Sequence, residues 1–268
     1  MQIPFIKAHG TKNDFVLIDD VNDALDLSPA QVAALCDRHA GIGANGILRV
    51  VRNGDAYFMD YRNADGSLAE MCGNGARVFA KYLVDSGYEQ GPSFTFLTRA
   101  GQLRAVIEDD DTVTIAMGVA TPIEQERVPL ITVAGSLQPA VSVAIPNPHA
   151  VVFVEDVADA GALLDAPEVM PATAFPDGVN VEFVQRVGDD HVAMRVFERG
   201  VGETMSCGTG ACAAAWAFLA GRSGTVQVDV PGGSVWVSVD DAGHVSLRGP
   251  VAFVAHGNFE LDALDALA

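Results

Sequence analysis

The chain has 268 residues, of which 49% are hydrophobic and 19% charged, a composition typical of a globular protein and not of a disordered or fibrous one. Its 35 acidic and 16 basic residues give a formal net charge of −19, which repels nucleic acid and anionic membranes, so neither is an expected partner. No apolar run reaches the roughly 20 residues of a membrane-spanning helix, and the first residues lack the pattern of a secretory leader, so a cytoplasmic location is expected.

The four cysteines, Cys36, Cys72, Cys207 and Cys212, are too few for the dense disulfide framework of a small secreted domain. No two of them are spaced with histidines as a zinc site requires, so reduced thiols and no bound metal are expected. Cys212 falls in an apolar helical segment and Cys36 near the end of an amphipathic one. Both are therefore predicted to be core residues.

The predicted elements of the first half begin with a strand that contains Asn13, followed by a short helix or loop region. A strand at residues 57–62 leads into a glycine-rich turn that contains Cys72, and a helix is predicted over about residues 75–84. The alternating pattern of QLRAVIE then predicts the strands of a hairpin.

The second half repeats this order of elements. A strand that begins at Asn147 corresponds to the strand of Asn13, and a later strand at residues 192–197 leads into a glycine-rich turn with Cys207. A helix over about residues 210–220 and a hairpin with the alternating sequence SVWVSVD follow. The order of elements therefore indicates an internal duplication.

The sequence itself also repeats. Residues 57–77 align without a gap on residues 192–212, which places Cys72 on Cys207. The chain is therefore interpreted as a duplicated domain in which two cysteines occupy equivalent positions.

This duplication predicts an α/β protein of the α+β type, with two pseudo-symmetric halves at residues 1–118 and 119–255. In each half a mixed or antiparallel sheet is expected to surround a central helix, because both helical segments are apolar on nearly every side. The strand-like residues 251–255 suggest that the tail, about residues 256–268, returns to the first half. With no flexible linker between the halves, their interface is the expected place for a site.

Both cysteines precede a Gly-x-Gly segment and a helix, so each thiol is expected at the positive N-terminus of a helix, beside backbone N–H groups. That position lowers a thiol pKa from about 8.5 and favours a thiolate base. The same N–H groups can hold a carboxylate. Two such helix starts would clamp one carboxylate with a sulfur on each face of its α-carbon, which is the arrangement that a two-base racemisation requires.

Three segments around these cysteines strongly resemble the diaminopimelate epimerase family: Met71–Arg77 (MCGNGAR), Glu198–Gly202 (ERGVG) and Ser206–Ala211 (SCGTGA). The resemblance spans almost the whole chain, because further matching motifs occur in the right order: NDF at 13–15, RNADGS at 62–67, NPH at 147–149 and DGVN at 177–180.

The resemblance implies a homodimeric enzyme that interconverts LL- and meso-diaminopimelate in lysine and cell-wall precursor synthesis, with no cofactor and a site in the cleft between two similar halves. Cys72 and Cys207 would be the paired acid and base, and His149 and Glu198 would tune the two thiols. Backbone N–H groups would bind the carboxylate at the reacting carbon, at Gly73, Asn74, Gly208 and Thr209. The remaining polar groups of the amino-acid substrate would be held by Asn13, Asn63, Asn147, Asn180, Glu198 and Arg199.

One position departs from the family's pattern. Many members have Asp-Gln where this chain has Asn45-Gly46, and the family's glutamine contributes to the site. A glycine cannot supply that amide, so no site role is assigned to Gly46.

A dinucleotide-binding enzyme is the nearest competing class, because Gly208, Gly210 and Ala213 match its fingerprint, with Asp229 about 20 residues further on. The fingerprint requires its glycines directly after a strand. Here the preceding strand ends near Phe197, too early in the chain, so this interpretation is rejected.

The sequence also bears on three further classes of protein. A pyridoxal-phosphate racemase needs a Schiff-base lysine, and of the three lysines Lys81 lies inside a predicted buried helix and is a poor candidate. A non-catalytic carboxylate-binding protein would not need two identically placed thiols. A two-cysteine racemase of another amino acid, such as proline or hydroxyproline, remains the runner-up.

Overall fold

The structure is a computed structural model that describes residues 1–265; residues 266–268 of the predicted tail lie outside the described residues. It divides into two compact units, Met1–Ile115 together with the chain from Pro250 onward, and Ala116–Gly249. The divisions predicted from the sequence, at 118 and 255, fall a few residues later in both places.

Most of the described secondary structure is β-strand. In chain order the strands are β1 (Gln2–Gly10), β2 (Asn13–Asp19), β3 (Gly46–Asn53), β4 (Ala56–Asn63), β5 (Ser93–Thr98), β6 (Gly101–Ile107), β7 (Val113–Val119), β8 (Thr121–Pro122), β9 (Leu130–Val133), β10 (Ser136–Ile145), β11 (Asn147–Val154), β12 (Val169–Met170), β13 (Asn180–Gly188), β14 (His191–Glu198), β15 (Gly202–Glu203), β16 (Gly224–Val230), β17 (Gly233–Val239), β18 (His244–Gly249) and β19 (Ala252–Glu260). The α-helices are α1 (Pro29–Cys36), α2 (Gly73–Asp85), α3 (Gly208–Leu219) and α4 (Leu261–Asp265), and a 3-10 helix spans Val157–Ala160.

In the first unit the strands pair in the order β1-β2-β3-β4-β5-β6-β7, and β19 adds to β1. The consecutive pairs are antiparallel, parallel, antiparallel, parallel, antiparallel and antiparallel. In the second unit the order is β10-β11-β13-β14-β16-β17-β18, and its pairs follow the same pattern of directions. This shared pattern confirms the predicted fold of two duplicated halves with mixed sheets.

Each sheet encloses one long helix. Helix α2 packs against β1, β2, β3, β4 and β6, and every residue of Gly73–Ala80 is buried. Helix α3 packs against seven strands of its own unit and is almost wholly apolar, with Gly210–Ala215 buried. Such helices cannot present a solvated face, so strands must cover them on most sides, as predicted.

Helix α1 is stabilised by its first turn. Ser28 accepts a hydrogen bond from the backbone N–H of Gln31 at 3.2 Å, and the Gln31 side chain accepts one from the Ser28 N–H at 2.8 Å. This reciprocal pair is a capping box, and Pro29 occupies the first helical position, where no N–H is needed. The apolar side of α1 covers β2 and β3 of the first unit, with Cys36 buried at its end.

None of the described helices is both long and apolar enough to cross a membrane.

Candidate active site

The two cysteines identified from the repeat occupy the same structural position in their units. Cys72 is the N-cap of α2 and Cys207 the N-cap of α3, both with extended backbone. The first helical hydrogen bonds are donated by the N–H of Ala76 to the Cys72 carbonyl at 2.8 Å and by that of Ala211 to the Cys207 carbonyl at 2.9 Å. The N–H groups of the glycine-rich turns therefore precede the helical hydrogen-bond ladder, which leaves them placed to receive an anion.

Cys207 is buried and receives two polar contacts from its own helix. The N–H of Gly210 donates to Sγ at 3.3 Å, and the Thr209 hydroxyl lies 3.5 Å from Sγ. Burial nevertheless raises the pKa of the Cys207 thiol well above its usual range, and the nearby carboxyls of Glu198 and Glu182 raise it further. The contacts at the helix N-terminus lower the pKa of this thiol as expected, but desolvation and the two carboxyls outweigh them.

Glu198 ends β14 and reaches Cys207. Its pKa is raised by burial, while hydrogen bonds from the Thr204 hydroxyl and the Cys207 thiol and the proximity of His149 favour its charged form. The Thr204 hydroxyl donates to Glu198 Oε1. Glu198 is therefore positioned to exchange a proton with the sulfur.

His149 is fully buried and held on both ring nitrogens. Its Nδ1 lies 2.6 Å from Glu182 Oε1, and its Nε2 lies 3.1 Å from Asn147 Oδ1. The parallel pairing of β11 with β13 brings these residues together, because it sets His149 opposite Asn180 and Val151 opposite Glu182. The motif NPH thus meets the motif DGVN through strand register.

Arg199 lies just after β14 and is held by backbone contacts. Its N–H donates to Asn180 Oδ1 at 2.8 Å, and its Nη1 donates to the Asp177 carbonyl at 2.8 Å. Gly178 permits this arrangement, because a β-carbon there would lie 2.8 Å from the Arg199 side chain, and its φ of +80° favours glycine. Asn180 therefore orients Arg199, in addition to any substrate contact.

Of the polar residues predicted for the first unit, Asn13 lies beside Cys72. Its Sγ lies 3.9 Å from Oδ1 of Asn13, the first residue of β2. Asn63 ends β4 and its Nδ2 donates to the Ser67 hydroxyl at 3.0 Å. Asn74 is buried in the first turn of α2. The structure therefore brings Asn13 and the turn of α2 together around this thiol.

The structure also explains why position 46 is a glycine. A β-carbon on Gly46 would lie 2.4 Å from the Arg62 carbonyl oxygen and 2.8 Å from the Tyr61 ring. A glutamine there would require the backbone of β3 or β4 to move. Asn45 precedes β3, and its Oδ1 accepts from Arg38 Nη2 at 2.5 Å.

Sequence reasoning missed Glu182. It is fully buried, contacts His149 and raises the pKa of Cys207. A signal was present, because Glu182 is the one charged residue in the otherwise apolar segment VEFV, whose residues are all buried in β13. A lone carboxylate in a buried strand needs a partner, and that requirement marks it as a candidate.

Within residues 1–265, no group of three or more histidine, cysteine or carboxylate side chains is placed to hold a metal ion.

Relatives of known name resemble this chain over nearly its full length. The diaminopimelate epimerase from Streptomyces coelicolor is 47% identical, over 97% of this chain and 96% of the relative. The diaminopimelate epimerase from Mycolicibacterium gilvum is 46% identical, over 94% of this chain and 96% of the relative. The diaminopimelate epimerase from Corynebacterium glutamicum is 45% identical, over 97% of this chain and 99% of the relative.

Solved structures support the fold. A phenazine biosynthesis protein of the PhzF family from Bacillus anthracis superposes with a TM-score of 0.75 at 16% identity, over 97% of this chain and 99% of that one. A hydroxyproline epimerase from Agrobacterium vitis superposes with a TM-score of 0.69 at 15% identity, over 97% of this chain and 93% of that one. At these identities the likeness shows the fold alone.

The sequence pattern of the family described as diaminopimelate epimerase matches residues 5–123 and 141–254, which include both cysteine turns. With this match and the near full-length relatives, the chain belongs to the diaminopimelate epimerase family, a family of isomerases.

Proposed function

We propose that this enzyme interconverts LL- and meso-2,6-diaminopimelate by moving a proton at the α-carbon between two cysteines. The observation that carries the proposal is the matched placement of Cys72 and Cys207, each the N-cap of a buried helix in a unit with the same strand-pairing pattern. Family membership supports the reaction and substrate, and the paired thiols support the mechanism.

In the proposed cycle one thiolate removes the α-proton, so a C–H bond breaks and an S–H bond forms. The second cysteine, present as a thiol, delivers its proton to the opposite face of the carbon and becomes the thiolate. The reverse reaction exchanges these roles. The raised pKa of Cys207 favours it as the proton donor at the start, with Cys72 as the base.

An α-proton of an amino acid is far less acidic than a thiol, so the developing carbanion must be stabilised by donors aimed at the carboxylate. The backbone N–H groups at the helix starts are suited to this task, because they precede the helical ladder and carry the positive end of the helix dipole. The proposed carboxylate-binding residues are Gly73, Asn74, Gly208 and Thr209.

The rest of the substrate carries a second amino-acid group. Arg199 is suited to its carboxylate, because Asn180 holds the Arg199 backbone N–H and the Asp177 carbonyl holds the side chain, while its planar fork can bind both oxygens. The residues proposed to hold the remaining polar groups are Asn13, Asn63, Asn147, Asn180 and Glu198.

The proposed setting is lysine and peptidoglycan-precursor synthesis in the cytoplasm, where both thiols stay reduced. We also propose a homodimer that has no nucleic-acid or membrane partner. Light scattering on the purified protein tests the dimer, and a monomer at micromolar concentration would contradict it.

The decisive experiment is solvent exchange of LL-diaminopimelate in D₂O by the reduced enzyme without added cofactor. Deuterium incorporation with formation of the meso isomer is the expected result. Cys72→Ala and Cys207→Ala should each abolish turnover, because neither thiol can replace the other. Cys36→Ala is the matched control, since Cys36 is a buried cysteine in α1, and it should retain activity.

Proline and trans-4-hydroxyproline serve as competing substrates in the same assay. Exchange with either of them, and none with diaminopimelate, would identify a different substrate and leave the two-thiol mechanism unchanged. Exchange with no amino acid would support the carboxylate-binding alternative. Full activity of either cysteine variant would contradict the two-thiol mechanism.

A further inference from the structure

We infer that Glu182 is a positioning residue for this reaction, which holds the ring of His149 through Nδ1 and favours the protonated form of Cys207. The inference rests on the proposed function, because the consequence for catalysis depends on the two-thiol mechanism. It adds a residue that lies outside the sequence motifs around the cysteines.

The first contact fixes His149. Glu182 Oε1 lies 2.6 Å from His149 Nδ1, and both side chains are fully buried. At this distance the two groups form a hydrogen bond, and the ring cannot rotate without breaking it. The other ring nitrogen, Nε2, is then directed toward Asn147, 3.1 Å away, so the carboxyl determines which nitrogen of the histidine is presented.

The second contact is with the first turn of α3. Glu182 Oε1 lies 2.9 Å from the position that a β-carbon on Gly210 would occupy, so the missing side chain is what admits the carboxyl. The N–H of Gly210 also donates to Cys207 Sγ at 3.3 Å. One glycine therefore contacts both the sulfur and the carboxyl, which places Glu182 next to the reacting group.

The charged and titratable groups facing Glu182 come from three elements: His149 on β11, Glu198 on β14 and Cys207 at the start of α3. Burial and Glu198 raise the pKa of Glu182, while His149 lowers it. Glu182 Oε2 has no hydrogen-bond partner among the described residues. A negative charge on this carboxyl is therefore compensated mainly through His149, and a second negative charge on Cys207 is strongly disfavoured.

The consequence concerns the protonation of Cys207. A negative Glu182 opposes the thiolate of Cys207, so it raises the pKa of that thiol and keeps Cys207 protonated over a wider pH range. Cys207 would then enter the cycle as the proton donor. Removing the charge of Glu182 should lower the pKa of Cys207 and make its thiolate available at lower pH.

The test compares Glu182→Gln with Glu155→Gln, which removes one exposed carboxylate just after β11 in the same unit. The rate at which iodoacetamide alkylates Cys207 is measured against pH by peptide mass spectrometry, without substrate. In Glu182→Gln the midpoint should move to lower pH by about 1 to 2 pH units, the shift typical of a neighbouring charge. In Glu155→Gln it should not move.

The pH profile of turnover supplies a second measurement. In the direction where Cys207 donates, the high-pH limb of kcat/KM reports loss of its proton, and this limb should move to lower pH in Glu182→Gln. Glu182→Asp keeps the charge but shortens the reach to His149. It should therefore keep the alkylation midpoint and lower kcat by about 10-fold, the effect of one misplaced catalytic contact.

An unchanged alkylation midpoint in Glu182→Gln would overturn the inference. If Glu182→Gln fails to fold, Glu182→Asp supplies the test. A lowered pH midpoint of Cys207 alkylation in this variant, which retains the charge, would also overturn the inference. The alkylation assay needs no turnover, so it separates this inference from the proposed function. If the alkylation midpoint shifts but the protein does not epimerise diaminopimelate, the proposed function is refuted and the inference about Glu182 and Cys207 is not.

Discussion

The thiol of Cys207 is acted on by two opposing effects at the scale of single residues. Contacts with Gly210 and Thr209 stabilise the thiolate, whereas burial and two neighbouring carboxyls destabilise it. Charge in a desolvated environment is costly, so burial prevails and the thiol form is favoured. A helix N-terminus alone therefore does not make a cysteine a strong acid.

The contact between Thr209 and Cys207 gives a prediction at this scale. Thr209→Val keeps the side chain's shape but removes the hydroxyl 3.5 Å from Sγ. Because that hydroxyl favours the charged sulfur, its loss should raise the pKa of Cys207 and lower kcat by about 5- to 10-fold, as expected for one hydrogen bond. Steady-state kinetics in both directions measure this, with Thr225→Val as the surface control. Equal kcat in the Thr209 variant and the parent enzyme would show that the contact is irrelevant.

Gly46 gives a second prediction. Gly46→Ala should lower the free energy of unfolding by about 1 to 3 kcal/mol, because its new methyl group meets the Arg62 carbonyl at 2.4 Å. Urea denaturation followed by circular dichroism measures the loss. Gly91→Ala is the control, since its nearest neighbour lies 4.0 Å away. Similar stability of the two variants would mean that the strands adjust without cost.

At the scale of elements, the sequence predicted both central helices but placed their starts two residues late. The predicted segments began at 75 and 210, whereas the helices begin at Gly73 and Gly208. Glycine is a poor helix former, so propensity alone argues for a later start. In the structure both helices include these glycines, and the close neighbours of Gly75 and Gly210 leave little room for a side chain at those two positions.

The capping box of α1 gives a prediction for an element. Ser28→Ala removes the acceptor for the Gln31 N–H and should lower the free energy of unfolding by about 1 kcal/mol, the usual value of an N-cap. Thermal unfolding of the variant would show this as a lower Tm. Ser28→Thr retains the oxygen and should stay close to the parent protein. If the alanine variant matches the threonine variant, the cap contributes nothing to stability.

The net charge of −19 acts on the molecule as a whole. Like charges at the surface repel one another and destabilise a compact chain, and salt screens this repulsion. The screening length falls from about 30 Å at 0.01 M to about 8 Å at 0.15 M ionic strength. Raising NaCl across this range should therefore raise Tm by about 1 to 3 °C, given that 1 kcal/mol changes Tm by about 2 to 4 °C in a chain of this size.

Differential scanning calorimetry at pH 7 measures this effect. Repeating it near the isoelectric point of about 4.4 is the internal control, because the net repulsion is then small and salt should have little stabilising effect. A Tm that falls with salt at pH 7 would mean that attractive ion pairs, such as Arg49 with Asp20 and Asp60, dominate the electrostatics instead.

The sequence by itself determined the duplication, the central helices, the two cysteines and the family. These features depend on local composition and on repetition along the chain, which a sequence records directly. The tertiary structure alone decided which buried groups surround Cys207, because the pairing of β11 with β13 brings His149 to Glu182 across 33 positions of sequence. It also decided the direction in which the pKa of that thiol is shifted, because burial depends on everything packed around the sulfur and not on the neighbours in the chain.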